Sequence, residues 1–188
     1  AEADFEAMHV ALAYALCGQT IPVAPYAIYR DDRDQRARGV IKRTTLTGLN
    51  AKNRIATVRA VRWKLRRLHK RGRGPSVEEI ESVLGETLED LAARVWEAHP
   101  RIRSVFEDQE AWAKLQGADG RIMWRVLEAC MAENIVAIPI FDSVVARADR
   151  IDRVIELMRS ACREEVGQVI EIKVSRRNPD APSPETAE

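Results

Sequence analysis

Asp142 stands after Ile140-Phe141 and before Val144-Val145. A carboxylate pinned between two apolar runs is costly to keep unless something uses it. Taken alone, the Asp142-Ser143 pair is also ordinary turn chemistry, because both residue types are favoured in turns. A second group is Arg38, Lys42 and Leu46, spaced by four, which lie one turn apart on a single helix face. Two cations so placed can hold phosphate oxygens by charge-assisted contacts; the plain alternative is a solvated face. A third group is larger. From Lys52 to Arg73 there are ten Lys or Arg residues and no acid, among them Arg59, Arg62, Arg66, Arg67 and Lys70. A block of like charge this dense marks an interaction surface, with the phosphate backbone as its commonest partner. Trp63 lies inside it and could stack on a base, although packing into the core is the more ordinary fate.

The remaining reactive residues are less informative. His9 falls on an apolar helix, where a satisfied core histidine is commoner than a ligand. Cys17, Cys130 and Cys162 are odd in number, widely spaced and without metal-ligand spacing. They read as buried thiols in a reducing, cytoplasmic setting. No basic-then-apolar leader opens the chain, and no run of about 18 apolar residues could span a membrane. Ala1 is not an initiator methionine, and the first residues read like the end of a strand, which suggests a fragment or a processed product.

The elements that must position these groups follow from periodicity. The 188 residues suffice for one domain with a helical insertion. Helices are expected over 5–17, with Gly18 as the stop, over 34–49 and over 54–70. Ile21 to Tyr29, with Pro22 and Pro25, reads as a loop. Ser76 with Glu79 is a capping box opening a helix to about Leu84, and Thr87 opens another that Pro100 ends. A further helix runs from Ile102 toward Leu115; Gly117 and Gly120 are expected to interrupt it before helix resumes over 122–132. Then the pattern changes to a hairpin, 136–146, an amphipathic helix, 151–166, closed by Gly167, and a half-buried strand, 169–174. The tail from Ser175, with three prolines, reads as disordered. The fold class is α+β: mostly helical, with a small antiparallel sheet near the C-terminus. The division is residues 1–174 as one domain carrying a helical insertion at about 30–115, then the tail 175–188.

Four motifs in order resemble the palm and fingers of family A DNA polymerases and single-subunit phage-type RNA polymerases. Phe141-Asp142-Ser143 is similar to the His-Asp-Glu or His-Asp-Ser tripeptide at the tip of the palm hairpin, with phenylalanine in place of histidine. Asp4-Phe5-Glu6-Ala7-Met8-His9 looks like the opening motif, in which an aspartate ends a strand and leads into a helix. His9 occupies the place of a glutamate that helps DNA polymerases exclude ribonucleotides. Arg38 to Ala51 resembles the fingers helix, with Leu46 and Asn50 replacing an aromatic residue and a tyrosine. Leu115-Gln116-Gly117-Ala118-Asp119 is reminiscent of the Gln-Gly segment that contacts primer-template.

The resemblance implies a template-directed nucleotidyltransferase of the kind that serves plasmid or phage replication. Asp4, Asp142 and the backbone carbonyl of Phe5 would hold Mg²⁺ (or Mn²⁺) at the edge of one sheet, carboxylate, carbonyl and water being the ligands this hard ion prefers. One ion would lower the pKa of a 3′-hydroxyl and the other would steady the leaving pyrophosphate. Arg38, Lys42, His9 and Asn50 would form the nucleoside-triphosphate site. Arg59, Arg62, Arg66, Arg67, Lys70 and Gln116 would bind the nucleic acid, as primer-template or single strand. The rival is a catalytically degenerate, nucleic-acid-binding replication or regulatory protein, favoured by the departures at Phe141, Leu46 and Asn50.

Overall fold

Residues 1–29 and 31–176 are described in the computed structural model. They form two compact units, one built from Ala1–Met8 together with the chain from Ala118 onward, the other from His9–Gly117. The protein is α+β and mostly helical, with one four-stranded antiparallel sheet.

The first unit holds the sheet. Its strands are β1 (Glu2–Phe5), β2 (Ala137–Ile140), β3 (Ser143–Ala146) and β4 (Ile172–Ser175). They are ordered β2-β3-β1-β4, with every neighbouring pair antiparallel. A helical excursion separates β1 from β2, and helix α9 (Ile151–Val166) separates β3 from β4. This is the split β-α-β arrangement, and it puts β1 and β3 side by side in the centre. Three strands come from the C-terminal third, and the N-terminal β1 inserts between β3 and β4.

Residues directly opposite in an antiparallel pair share a face. Ala3, Phe5, Val144 and Ala146 point to the covered face and are buried; α9 lies against β1 and β3. Ile151, Val154, Ile155, Met158 and Cys162 form the buried stripe of α9, at the spacing an amphipathic helix needs. Gly167 ends it in the left-handed conformation, φ +71°. The second half of helix α8 (Ala111–Ala132) runs antiparallel beside α9. Arg121 and Arg125 reach Glu165 and Glu164 at one end of the pair, and Glu133, just past α8, meets Arg153 at the other, at 2.6 Å.

Glu2, Asp4, Ser143, Val145, Ile138 and Ile140 share the opposite face. Ile140 pairs with Ser143 across a two-residue turn. Alternation then turns Ile138 and Ile140 toward β3 for hydrogen bonding and leaves the Pro139 nitrogen at the open edge. A proline there removes a donor from an edge strand and blunts it against pairing with another chain.

The second unit is helical: α1 (Met8–Leu16, all but its first residue), α2 (Arg33–Arg36), α3 (Arg38–Asn50), α4 (Arg54–His69), α5 (Val77–Leu84), α6 (Leu88–Ala98), a 3₁₀ turn (Pro100–Ile102), α7 (Arg103–Glu107) and the start of α8. The expected capping box forms, Ser76 with Glu79; Thr87, expected only as a helix start, makes a second one with Asp90. Gly48 of α3 lets α6 close in: a Cβ there would stand 2.6 Å from the Trp96 ring, which stacks on Phe106 at 4.3 Å.

Several expectations need correction. Helix α1 begins at Met8, since Phe5 is still paired in β1. The helix expected over 34–49 is two, broken at Ala37. The helix expected from Ile102 ends at Glu107, and α8 runs unbroken through Gly117 and Gly120. Its buried residues Leu115, Ala118, Ile122 and Val126 carry the helix across both glycines, each of which costs only about 1 kcal/mol. The turn of the hairpin is Phe141-Asp142, with Ser143 already in β3. Ser175, read as tail, closes β4; the tail from 177 lies outside the described residues.

Candidate functional site

The site is best built from β1 and β3. Register pairs Asp4 with Ser143, and the Phe5 amide donates to the Asp142 carbonyl at 3.2 Å. Asp4 and Asp142 therefore lie at one end of the sheet, one residue apart in register. Cross-strand spacing and rise per residue put their Cα atoms roughly 6 Å apart. Both are half-buried. Asp4 lies on the open face between Ser143 and Lys173, its neighbours in register on β3 and β4, and Asp142 is the second residue of the turn. Ser143 is buried, its Oγ 2.8 Å from Glu2 Oε1 and 3.0 Å from the Ile140 carbonyl oxygen. The side chain of Phe5 is buried and carries no ligand atom; its backbone carbonyl is the group that could act as one.

The backbone at this end is strained. Phe141 has φ +53° and Ala7 has φ +54°. Left-handed backbone at residues other than Gly, Asn or Asp is uncommon and costs on the order of 1–3 kcal/mol. Two of the three such residues among those described flank the two carboxylates; the third is Asn134, a residue type that tolerates it. Phe141 is also 92% exposed. Neither packing nor turn preference accounts for an aromatic residue there, and no sequence signal announced the strain.

Among the described residues there is no group of three or more His, Cys, Asp or Glu side chains arranged to hold a metal. What the sheet offers is two carboxylates and a backbone carbonyl, a hard-oxygen set suited to Mg²⁺ when water or substrate oxygens complete the shell.

Arg38, Lys42, His9, Asn50, the basic helix and Gln116 all belong to the helical unit. Arg38 and Lys42 are exposed on one face of α3, their cationic groups 5.6 and 6.0 Å from the centroid of the buried Tyr26 ring. Tyr26 is an aromatic platform that the sequence reading missed, because it sits in an aperiodic loop. Asn50 turns back on its own helix and donates to the Leu46 carbonyl at 2.7 Å. His9 is half-buried. Gln116 is exposed inside α8 rather than in a glycine-broken segment.

Helix α4 buries Thr57, Val58, Val61 and Leu65. Arg59, Trp63, Arg66 and Lys70 fall on the opposite side within about 60° of arc, a stripe roughly 16 Å long at 1.5 Å per residue; all four are exposed. Trp63, expected in the core, is 61% exposed, and the Arg67 guanidinium lies 5.2 Å from its ring centroid. Its position on the helix explains the difference: it projects away from the apolar stripe. Arg62 leaves the outward set, because Glu89 binds it at 2.8 Å and Glu81 lies at 4.0 Å.

Two further clusters are structural. Tyr29 donates to Glu86 at 2.5 Å, Arg94 meets the same carboxylate, and burial pushes the Tyr29 hydroxyl pKa up. Cys130 and Cys162 are buried, with burial raising the Cys162 thiol to about 11; Cys17 is only half-buried. No described helix is long and apolar enough to cross a membrane. Comparison with family models, curated proteins and solved structures finds no match.

Proposed function

We propose that the protein is a template-directed nucleotidyltransferase that extends a nucleic-acid 3′-hydroxyl with nucleoside triphosphates, working in the cytoplasm during replication of a plasmid or phage. The observation that carries this reading is the β1–β3 register, which sets Asp4 and Asp142 at the same end of one sheet between two strained turns. The order of parts also agrees with the resemblance: an aspartate ends β1 before a helix, and an aspartate tips a hairpin followed by a helix and a last strand.

The carboxylates of Asp4 and Asp142 and the carbonyl of Phe5 would hold divalent cations. Bound there, two such ions lower the pKa of an attacking hydroxyl and neutralise charge on the leaving pyrophosphate. The chain's own residues supply position and charge. Phe5 and Asp142 are tied backbone to backbone, which fixes how far apart the Asp4 and Asp142 main chains stand. Arg38 and Lys42 present their charges together, suited to the β- and γ-phosphates. Arg59, Trp63, Arg66 and Lys70 track the nucleic-acid backbone, with Trp63 available to stack on a base.

Primer extension with Mg²⁺ and with Mn²⁺ tests the proposal. Asp142→Ala and Asp4→Ala are each expected to reduce extension at least 1,000-fold while nucleic-acid binding stays within a factor of two or so, since charge stabilisation of this kind is worth several kcal/mol. Binding without extension, under both metals and on DNA and RNA templates, would overturn the enzymatic reading. It would leave the second one, a nucleic-acid-binding replication or regulatory protein, which the outward Trp63 in its basic stripe favours.

A further inference from the structure

Helices α3, α4 and α5 line a half-open cavity of about 440 Å³ within the helical unit, inside the range of small-molecule sites. Its floor is aliphatic, made by Val40, Leu65, Leu68 and Ile80. Cations stand on its rim. Arg36 is paired with Asp32, whereas Arg43 and Arg73 have no carboxylate within ion-pair distance among the described residues. The wall also carries one carboxylate, Glu79, whose Oε2 accepts from the Ser76 amide at 2.6 Å. The loop bearing Arg73 is held in place: its amide donates to the Leu68 carbonyl at 3.0 Å, and His69 Nδ1 lies 3.2 Å from the Gly74 carbonyl.

Gly39 is the telling residue. It is the second residue of α3, and a Cβ built on it would meet nothing within 4 Å. No close approach or turn requires a glycine there. Gly39 lines the cavity, so a side chain added there would stand at its wall.

We infer that this cavity is a binding site for one phosphate-bearing nucleoside, with the base on the aliphatic floor and the phosphate between Arg43 and Arg73. Two guanidiniums brought from different elements suit a phosphate, because each offers a planar fork of donors to its oxygens. The volume admits a single nucleotide unit. That unit is either a free nucleoside monophosphate or the 5′-phosphorylated end of a strand. Such a site is separate from the proposed carboxylate pair and needs no metal.

Isothermal titration of the full chain with AMP in EDTA tests this, because chelation removes any metal-dependent nucleotide binding. AMP is expected to bind at least tenfold tighter than adenosine. Arg43→Ala and Arg73→Ala should each weaken AMP about tenfold. Gly39→Leu, which fills the cavity and raises helix propensity, should abolish binding with circular dichroism and thermal midpoint preserved or improved. Competition by 5′-phosphorylated but not 5′-hydroxyl oligothymidylate identifies a strand end, and AMP binding without that competition identifies a free nucleotide. Equal affinity for adenosine and AMP, or unchanged AMP affinity in Gly39→Leu and Arg43→Ala, overturns the inference. So does decanoate binding in the absence of AMP binding. None of these outcomes depends on whether Asp4 and Asp142 catalyse extension.

Discussion

His99 is a titratable ring held where charge is expensive. It is 3% exposed, its Nδ1 meets the Tyr14 hydroxyl at 2.9 Å, and Phe106 lies 6.2 Å away ring to ring. Burial holds its pKa below the ordinary value, with a smaller opposing influence from the Pro25 backbone. A histidine of this kind stays neutral in the fold while the unfolded chain takes up a proton near pH 6.5. The unfolded state therefore binds more protons below that pH, and stability must rise with pH through this window. Its contribution is complete above about pH 6.5 and is lost as the pH falls toward the folded pKa. Urea denaturation of the wild type should show a midpoint that drops from pH 7 to pH 5, and His99→Gln should flatten that dependence. An unchanged slope in the variant would move the effect to another group. Phe141 shows a different cost at the same scale, a left-handed aromatic in full exposure. Strain of that kind persists only where the surrounding structure over-determines it, here through the Ile140–Ser143 pair and the Phe5–Asp142 hydrogen bond.

Among the elements, two glycines in long helices behave oppositely. Gly48 faces the Trp96 ring with no room for a methyl group, whereas Gly120 of α8 faces open space. Gly48→Ala is expected to destabilise by roughly 1–3 kcal/mol through overpacking. Gly120→Ala is expected to stabilise by about 0.5–1 kcal/mol through helix propensity. Chemical denaturation read by circular dichroism checks both signs. The same pair shows what a one-dimensional pattern reveals. Ser76-Glu79 and Thr87 announced their helices because the cap chemistry is local, and α9 was readable end to end from its apolar spacing and Gly167. The β2–β3 hairpin was readable for the same reason. Gly117 and Gly120 misled because a local breaker is overruled by a buried stripe that continues past it. The outward placement of Trp63 needed the phase of α4 against its own apolar stripe, and the Tyr26 platform needed the tertiary fold. The pairing of Asp4 with the hairpin tip is a contact across more than 130 residues; order along the chain suggested it, and only strand register gave it geometry.

At the scale of the whole molecule the net charge is +1, yet the cations are not spread evenly. Balanced charge overall with a basic stripe on α4 means that attraction for a polyanion is local, and its salt dependence should report a small set of side chains. Each phosphate neutralised contributes about 0.7 to the log–log salt slope for a single strand and about 0.9 for a duplex. Replacing Arg59, Arg66 and Lys70 together by glutamine should therefore lower the slope by roughly 2 on single strands and nearly 3 on duplex. Arg62→Gln should change it little, because Glu89 and Glu81 already hold that guanidinium. Trp63→Ala is the contrasting variant: stacking carries no counterion release, so affinity should fall by about 1–3 kcal/mol with the slope unchanged. Fluorescence anisotropy with labelled oligothymidylate between 50 and about 300 mM salt reads both quantities. A triple variant with the wild-type slope would show that the nucleic acid runs elsewhere, and the stripe would then be only a solvated helix face.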